Sequence, residues 1–320
     1  MRREGSPWQG LGAVMMKELA DHLSSARMRV LEWLVVLTAV AALYSAIGQL
    51  RDTTAEDPFL LLRLFTVQSS SLPSFVAILG FLIPLMALGL GFDAINGEYN
   101  HRTLSRILAQ PIYRDALLIG KFLAGLVTLA ISLTCLWLLV VGLALLFLGV
   151  PPGGEEIARS LVFLIVAVIY GGVWLALAMW LSVVFRSPAT AALAALGIWL
   201  LLTLLWPMLA PAIANVIAPA DPRYAALGLP TPETLEWQQI LARLSPHDLF
   251  CEAMLAVLSP STRALGPVFL NQLQGAVLGA PLPFDQSLLI AWPQTVSLIA
   301  AVILLVVGAY VTFQRREVRA

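Results

Sequence analysis

The chain has 320 residues, 59% of them hydrophobic and 12% charged, with 19 basic and 19 acidic side chains and a net charge of zero. Soluble domains carry about 25% charged and 45–50% apolar residues. A mean hydropathy of +0.87 therefore excludes a water-soluble globule, which would expose large apolar patches, and a disordered chain, which needs high charge. Charge balance points to no nucleic-acid partner, two cysteines (Cys135 and Cys251) make no disulfide framework, and the class that remains is an all-α integral membrane protein.

The first 30 residues do not read as a cleavable signal, because Lys17, Glu18 and Asp21 interrupt any apolar core. Trp8, Leu11, Met15, Leu19 and Leu23 recur at helical spacing, and Lys17, Asp21 and Ser24 share another face. This predicts an amphipathic interfacial helix within residues 1–29.

A spanning helix needs about 20 mostly apolar residues, and one Arg, Lys or Asp at its centre costs about 2.5–3.5 kcal/mol. Gaps between charges therefore map the spans. Six windows qualify: 33–50, 64–92 (its span beginning near Leu72, beyond the polar Ser69 to Ser71), 122–154, 160–185, 187–220 and 286–314. A seventh, 264–284, is rejected because prolines, glycines and amides crowd it. Thirteen Lys and Arg fall on one side of this arrangement and six on the other. The excess marks the cytoplasm, which predicts six spans with both termini cytoplasmic in the plasma (inner) membrane.

Between spans five and six, an extracytoplasmic loop over 218–289 holds nine of the 20 prolines. Two short helices fit inside it. One covers 233–244. The other has Ser245 as N-cap, Pro246 in the first helical position and Asp248 in the first turn, and runs to about Leu258.

Several chemistries are excluded. No phosphate-binding loop exists, since Gly120-Lys121 is followed by Phe122 and lacks the upstream glycine. His22, His101 and His247 all lie outside the windows, which rules out an intramembrane Ser–His or paired-His zinc protease. No window carries an ionisable residue, and Glu32 and Asp93 read as cytoplasmic span ends. An ion-coupled carrier is disfavoured, and the energy source is expected on a partner chain.

The second cytoplasmic loop, 93–117, is the most informative stretch. Glu98 follows span two, then Thr103-Leu104, Pro111-Ile112, Arg114 and finally Gly120-Lys121 opening span three. This pattern resembles the permease subunits of ABC-2-type transporters, with Arg102 where that family usually has glycine. The resemblance covers nearly the whole chain, including Lys17-Glu18 and the long loop before span six. Residues 92–98 and 245–250 are similar to the branch linked to multicopper-enzyme maturation, including the nitrous oxide reductase maturation permease.

The loop's own physics agrees. Leu104, Ile107 and Leu108 form a small apolar face, Arg102 and Arg106 form an i, i+4 pair on another side, and Pro111 ends the helix. Such a helix suits docking into a groove of a soluble partner. The bland alternative is a positive-inside loop on the membrane surface. The resemblance implies a coupling helix whose ATPase-coupling residues are Glu98, Arg102, Thr103, Leu104, Arg106, Ile107, Leu108, Pro111, Ile112 and Arg114. It also implies a nucleotide-binding ATPase partner that holds ATP and magnesium, a second permease chain, and no cofactor or catalysis on this chain.

In the outer loop His247, Cys251 and Met254 stand at i, i+4 and i+7. Imidazole, thiol and thioether suit Cu(I), but Cys and Met are also common packing residues, and no metal site is assigned. Cys135 reads as an inert span residue, Trp206 and Trp292 as interfacial anchors, and Gly171-Gly172 and Gly197 as close helix contacts. The whole chain, 1–320, is expected to form one transmembrane domain of an exporter or maturation system. The rivals are a subunit that transmits force to an extracytoplasmic partner without moving cargo, and a stand-alone carrier.

Overall fold

The computed structural model describes residues 10–51, 59–68, 73–100, 103, 114–149, 151–219, 230–262, 265 and 281–315. Those residues are helical throughout their ordered elements, and six helices are long and apolar enough to cross a membrane: Ala26–Gly48, Phe75–Asn100, Arg114–Phe147, Gly154–Val184, Pro188–Ile217 and Phe284–Arg315. Each falls on one of the charge-free windows. The rejected window lies almost wholly outside the described residues.

In chain order the helices are α1 (Leu11–Ser24), α2 (Ala26–Arg51), α3 (Leu60–Thr66), α4 (Phe75–Gly91), α5 (Asn96–Asn100), α6 (Arg114–Leu148) and α7 (Gly154–Val184). Then come α8 (Pro188–Leu200), a π turn (Leu201–Leu205), α9 (Trp206–Ile217), α10 (Pro232–Ala242), α11 (Pro246–Leu258) and α12 (Phe284–Arg315). Spans two (α4–α5) and four (α7) form the buried centre of the bundle, with α6 and α12 packed beside them. Glycines allow the close approach. A Cβ on Gly91 would lie 2.8 Å from Ala178 Cβ, and one on Gly171 would lie 3.0 Å from Ile83. Gly197, by contrast, faces open space, so its expected role in close packing is not what the structure shows.

Of the prolines inside the spans (Pro84, Pro207, Pro211 and Pro293), two free a carbonyl that a side chain from another helix takes up. Each leaves a carbonyl that apolar surroundings would penalise if it stayed unpaired. Pro84 cannot donate to Gly80 O, and the Tyr170 hydroxyl does so instead at 2.8 Å. Pro207 follows the π turn, in which Trp206 N–H reaches back to Leu201 O. Leu202 O is thereby released and accepts Ser245 Oγ at 2.9 Å.

That second bond locates the loop between spans five and six. Thr234 Oγ1 donates to Ala218 O at 2.8 Å, beyond the end of α9, while Trp206 Nε1 donates to Leu241 O at 2.7 Å, some 18 Å further along span five at 1.5 Å per residue. The α10 helix therefore runs back along α9. The chain turns at Arg243 to Ser245, level with the middle of span five, and α11 returns between α7 and α12. Both expected helices form, the first over Pro232–Ala242 against an expected 233–244 and the second where its Ser245 cap places it. Thr231 accepts from Thr234 N–H, and Ser245 accepts from Asp248 N–H with Pro246 in the first turn. Instead of standing clear of the spans, the pair forms a hairpin that re-enters the bundle. Trp206, expected as an interfacial anchor, ties that hairpin to span five.

At the far end Arg159 is fully buried and all five of its N–H groups are taken. Nε and Nη2 donate to Glu155 Oε1 (2.9 and 2.8 Å), Nη2 also to Leu282 O (2.7 Å), and Nη1 to Val257 O and Ser287 Oγ (both 2.9 Å). One side chain thus fastens span four to α11 and to the start of span six. Glu156, also buried, accepts from Gly153 N–H and from Leu61 N–H, both at 2.8 Å, and so caps α3.

Candidate functional site

At the opposite end the residues that flank the second loop converge. The α1 helix packs along the start of α6, where Val14 lies against Gly120; a Cβ there would come within 3.0 Å of Val14 Cγ1. The expected apolar stripe is only partly the inward face. Leu23 is 43% exposed, whereas Glu18 is buried, and Trp8 lies outside the described residues.

Glu18 is inside because Lys121 is there. The Lys121 ammonium, 5% exposed, lies 2.8 Å from Glu18 Oε1 and 3.2 Å from Glu98 Oε1. Lys17, largely exposed, flanks the same carboxylates at 3.0 and 3.9 Å and Asp21 at 3.1 Å. Glu98 in turn holds Thr103, whose N–H and hydroxyl donate to Glu98 O at 3.0 and 3.1 Å. The same hydroxyl also donates to Glu98 Oε2. Burial works to lower the Lys17 pKa, but hydrogen bonds to Glu18 and Asp21 outweigh it and raise the value. Burial lowers the His22 pKa.

The stem is fixed from a second side. Ser182 Oγ, on span four, accepts from Ile95 N–H (3.0 Å) and Asn96 N–H (3.1 Å), an N-cap supplied by another helix. Asn96 donates to Phe185 O at 3.4 Å and Asn100 to Arg186 O at 3.2 Å. Arg27 pairs with Asp93 at 2.8 Å and lies over the Phe92 ring.

Of the residues singled out from the sequence, Glu98, Thr103, Gly120 and Lys121 meet in this cluster, and Lys17-Glu18 join them. Arg114 opens α6. Arg102, Leu104, Arg106, Ile107, Leu108, Pro111 and Ile112 lie outside the described residues. Sequence reasoning missed Asp21, Ser182, Asn96 and Asn100. None of these carries a local signal, because their partners are 20 to 90 positions away in the chain or exposed on the same helix.

The arrangement ties Thr103, through its hydroxyl, to Glu98. It is a charge-clamped knot joining α1, the stem of the loop and span three, and a hydrogen-bonded stem joined to span four. Its capacity is mechanical: displacement of the stem must carry these helices with it.

In the hairpin, His247 Nε2 and Cys251 Sγ lie 3.6 Å apart, as helical spacing requires. Met254 is buried in the core. The His247 ring packs 5.3 Å from Phe81, and its Nδ1 lies 3.5 Å from the Tyr170 hydroxyl. Among the described residues no group of three or more His, Cys, Asp or Glu could hold a metal ion.

The family model for ABC-2 family transporter proteins matches residues 12–318. A protein of Stutzerimonas stutzeri, described as a probable ABC transporter permease protein NosY, is 30% identical over 307 residues, which is 95% of this chain and 97% of that protein. A Pseudomonas aeruginosa protein of the same description is 31% identical over 242 residues, 74% of this chain and 78% of that one.

Proposed function

The chain belongs to the ABC-2 family of transporter proteins, and from that premise we propose that it is the membrane permease subunit through which a separate ATP-binding subunit drives export or maturation across the plasma membrane. The observation that carries the proposal is the Lys121 knot. It fastens both ends of the second loop, Glu98 with Thr103 on one side and Lys121 on the other, to α1. A loop anchored in this way is suited to receive a push. The segment between its anchors, in whose sequence Leu104, Ile107 and Leu108 recur at helical spacing, supplies the apolar contact for the groove of the ATP-binding subunit. ATP and magnesium are bound and hydrolysed there, not on this chain.

The Lys and Arg excess supports a cytoplasmic location for α1, the knot and both termini. Two copies of the chain, or this chain and a related one, assemble with two ATP-binding subunits. The relatives described as probable NosY permeases favour a maturation system. The Arg159 tie between span four and the hairpin also suits a subunit that passes force to an extracytoplasmic partner. Cargo-stimulated ATPase activity separates the exporter from the force transmitter.

The test is co-purification with the ATP-binding subunit, followed by ATPase and transport assays in proteoliposomes. Leu104→Asp and Glu98→Ala are expected to leave the protein in the membrane and to abolish coupled ATPase activity. Normal partner binding and transport in both variants, or solute movement by this chain alone without nucleotide, would overturn the reading.

A further inference from the structure

Spans one and three part around a cavity of about 220 Å³. Its walls are largely apolar, formed by Val35, Val36, Met86, Ile131, Leu136 and Leu139. Two polar side chains interrupt them: the Ser132 hydroxyl donates to Glu32 Oε1 at 3.0 Å.

Glu32 is not at the end of its span. It lies within Ala26–Gly48, five residues beyond Arg27, or about 8 Å further into the bundle at 1.5 Å per residue. Ser132 is midway along Arg114–Phe147. Arg29, three residues before Glu32 on the same helix face, makes no ion pair with it, and Arg27 is engaged with Asp93. Among the described residues no Lys, Arg or His forms an ion pair with Glu32.

A carboxylate at membrane depth is costly without a counter-charge, and such residues pair or serve a ligand. Ser132 occupies one of the roughly four acceptor positions that a carboxylate offers. An apolar chamber with an uncompensated anion at one end is complementary to a cationic head on an apolar body. We propose that this cavity binds an amphipathic ammonium compound, with its head on Glu32 and Ser132 and its body against Val36, Leu136 and Leu139. Cys135, on the cavity wall, is exposed on the outer face of the bundle, as is Ile131. The ligand therefore enters sideways from the bilayer. The volume is below the 300–1,000 Å³ of drug-sized pockets, which limits the body to a single chain or small ring. The ammonium can belong to a lipid headgroup or to a free amine.

The test needs no ATP-binding subunit, so it is independent of the coupling reading. The full chain is placed in phosphatidylglycerol nanodiscs with a photoreactive decylammonium or the matching decanol. Labelling of peptides containing Val35-Val36 and 131–139 is normalised to labelling of the last span. The ammonium probe is expected to label these peptides about tenfold more than the alcohol, and Glu32→Gln should reduce it to the alcohol's level. Val36→Trp, which fills the cavity, should do the same, so the result does not hang on one variant folding. Equal labelling by the two probes in the wild type, or undiminished labelling in either folded variant, overturns the proposal. Within it, phosphatidylethanolamine nanodiscs that suppress labelling identify a lipid amine, and undiminished labelling there identifies a free one.

Discussion

Replacing Lys121 by methionine keeps the side-chain stem and removes the ammonium from between Glu18 and Glu98. Both carboxylates are nearly buried, with 11% and 16% of their side chains exposed. Among the described residues Lys17 would then be the only cation within 4 Å of them, and it is 58% exposed. Removing one partner of a buried ion pair costs about 3–5 kcal/mol, because the other partner stays desolvated. Water reaches this cluster through Lys17, so about 3 kcal/mol is expected. Lys17→Met should cost no more than about 1 kcal/mol, the range of exposed pairs. A double-mutant cycle with Glu98→Gln isolates the shared term: the double variant should regain about 1–3 kcal/mol over the sum of the single effects. Equilibrium unfolding in mixed micelles, followed by tryptophan fluorescence, reads all four proteins. A Lys121→Met variant indistinguishable from Lys17→Met, or a strictly additive cycle, would show that the cluster is a crowd of surface charges and not a clamp.

Three further outcomes are expected. Gly91→Ala should destabilise by about 1–3 kcal/mol, since its Cβ would meet Ala178 Cβ at 2.8 Å and Leu175 O at 3.0 Å; Gly142→Ala, with nothing within 4 Å, should stabilise by about 0.5–1 kcal/mol. Thermal unfolding compares the two. Arg159→Lys should lower the unfolding midpoint almost as much as Arg159→Met, because an ammonium cannot reach acceptors set for the five-donor fork; a wild-type midpoint in Arg159→Lys would contradict this. His22 has a pKa lowered from 6.5 by burial, so below that value the unfolded chain binds the proton more readily than the folded one. Stability should therefore fall as pH drops below about 6.5, and His22→Gln should flatten the fall in unfolding midpoints measured between pH 7 and 5.

The spans were legible because the bilayer centre excludes charge, so a gap between charges is a length measurement. The second hairpin helix was legible from Ser245 and Pro246, whose capping is local, and Thr231 with Pro232 carries the same local signal for the first. What the sequence did not reveal depends on distant partners. Glu18 reads as a polar residue on the edge of an amphipathic helix, and only Lys121, a hundred positions on, turns it inward. Glu32 reads as a span end until Ser132 is seen beside it, and Arg159 as a flank until four acceptors surround it. The absence of intramembrane charge, used to disfavour a carrier, therefore does not hold for Glu32. Pro207 was a readable warning that a carbonyl in span five needs another donor. Nothing nearby named Ser245 as that donor.

Pro84 and Pro207 are ties between helices, not free hinges. Pro84 leaves Gly80 O to Tyr170, joining spans two and four, and Pro207 leaves Leu202 O to Ser245, joining span five and the hairpin. The stem of the second loop is held to span four through Ser182, and span four holds the hairpin and the last span through Arg159. A displacement of the stem thus has a continuous packed route along span four to the far end. Along that route the fastenings are unequal. Arg159 makes one charge-assisted bond to the hairpin, to Val257 O, worth about 1.5–3 kcal/mol, and α11 is packed between α7 and α12. Span five, by contrast, is tied to the hairpin by neutral bonds of about 1 kcal/mol each, from Ser245, Thr234 and Trp206, two of which hold α10. The second hairpin helix, α11, should therefore stay with spans four and six when the bundle rearranges. Span five should be the element that slips, beginning at the π turn where its own ladder is already open.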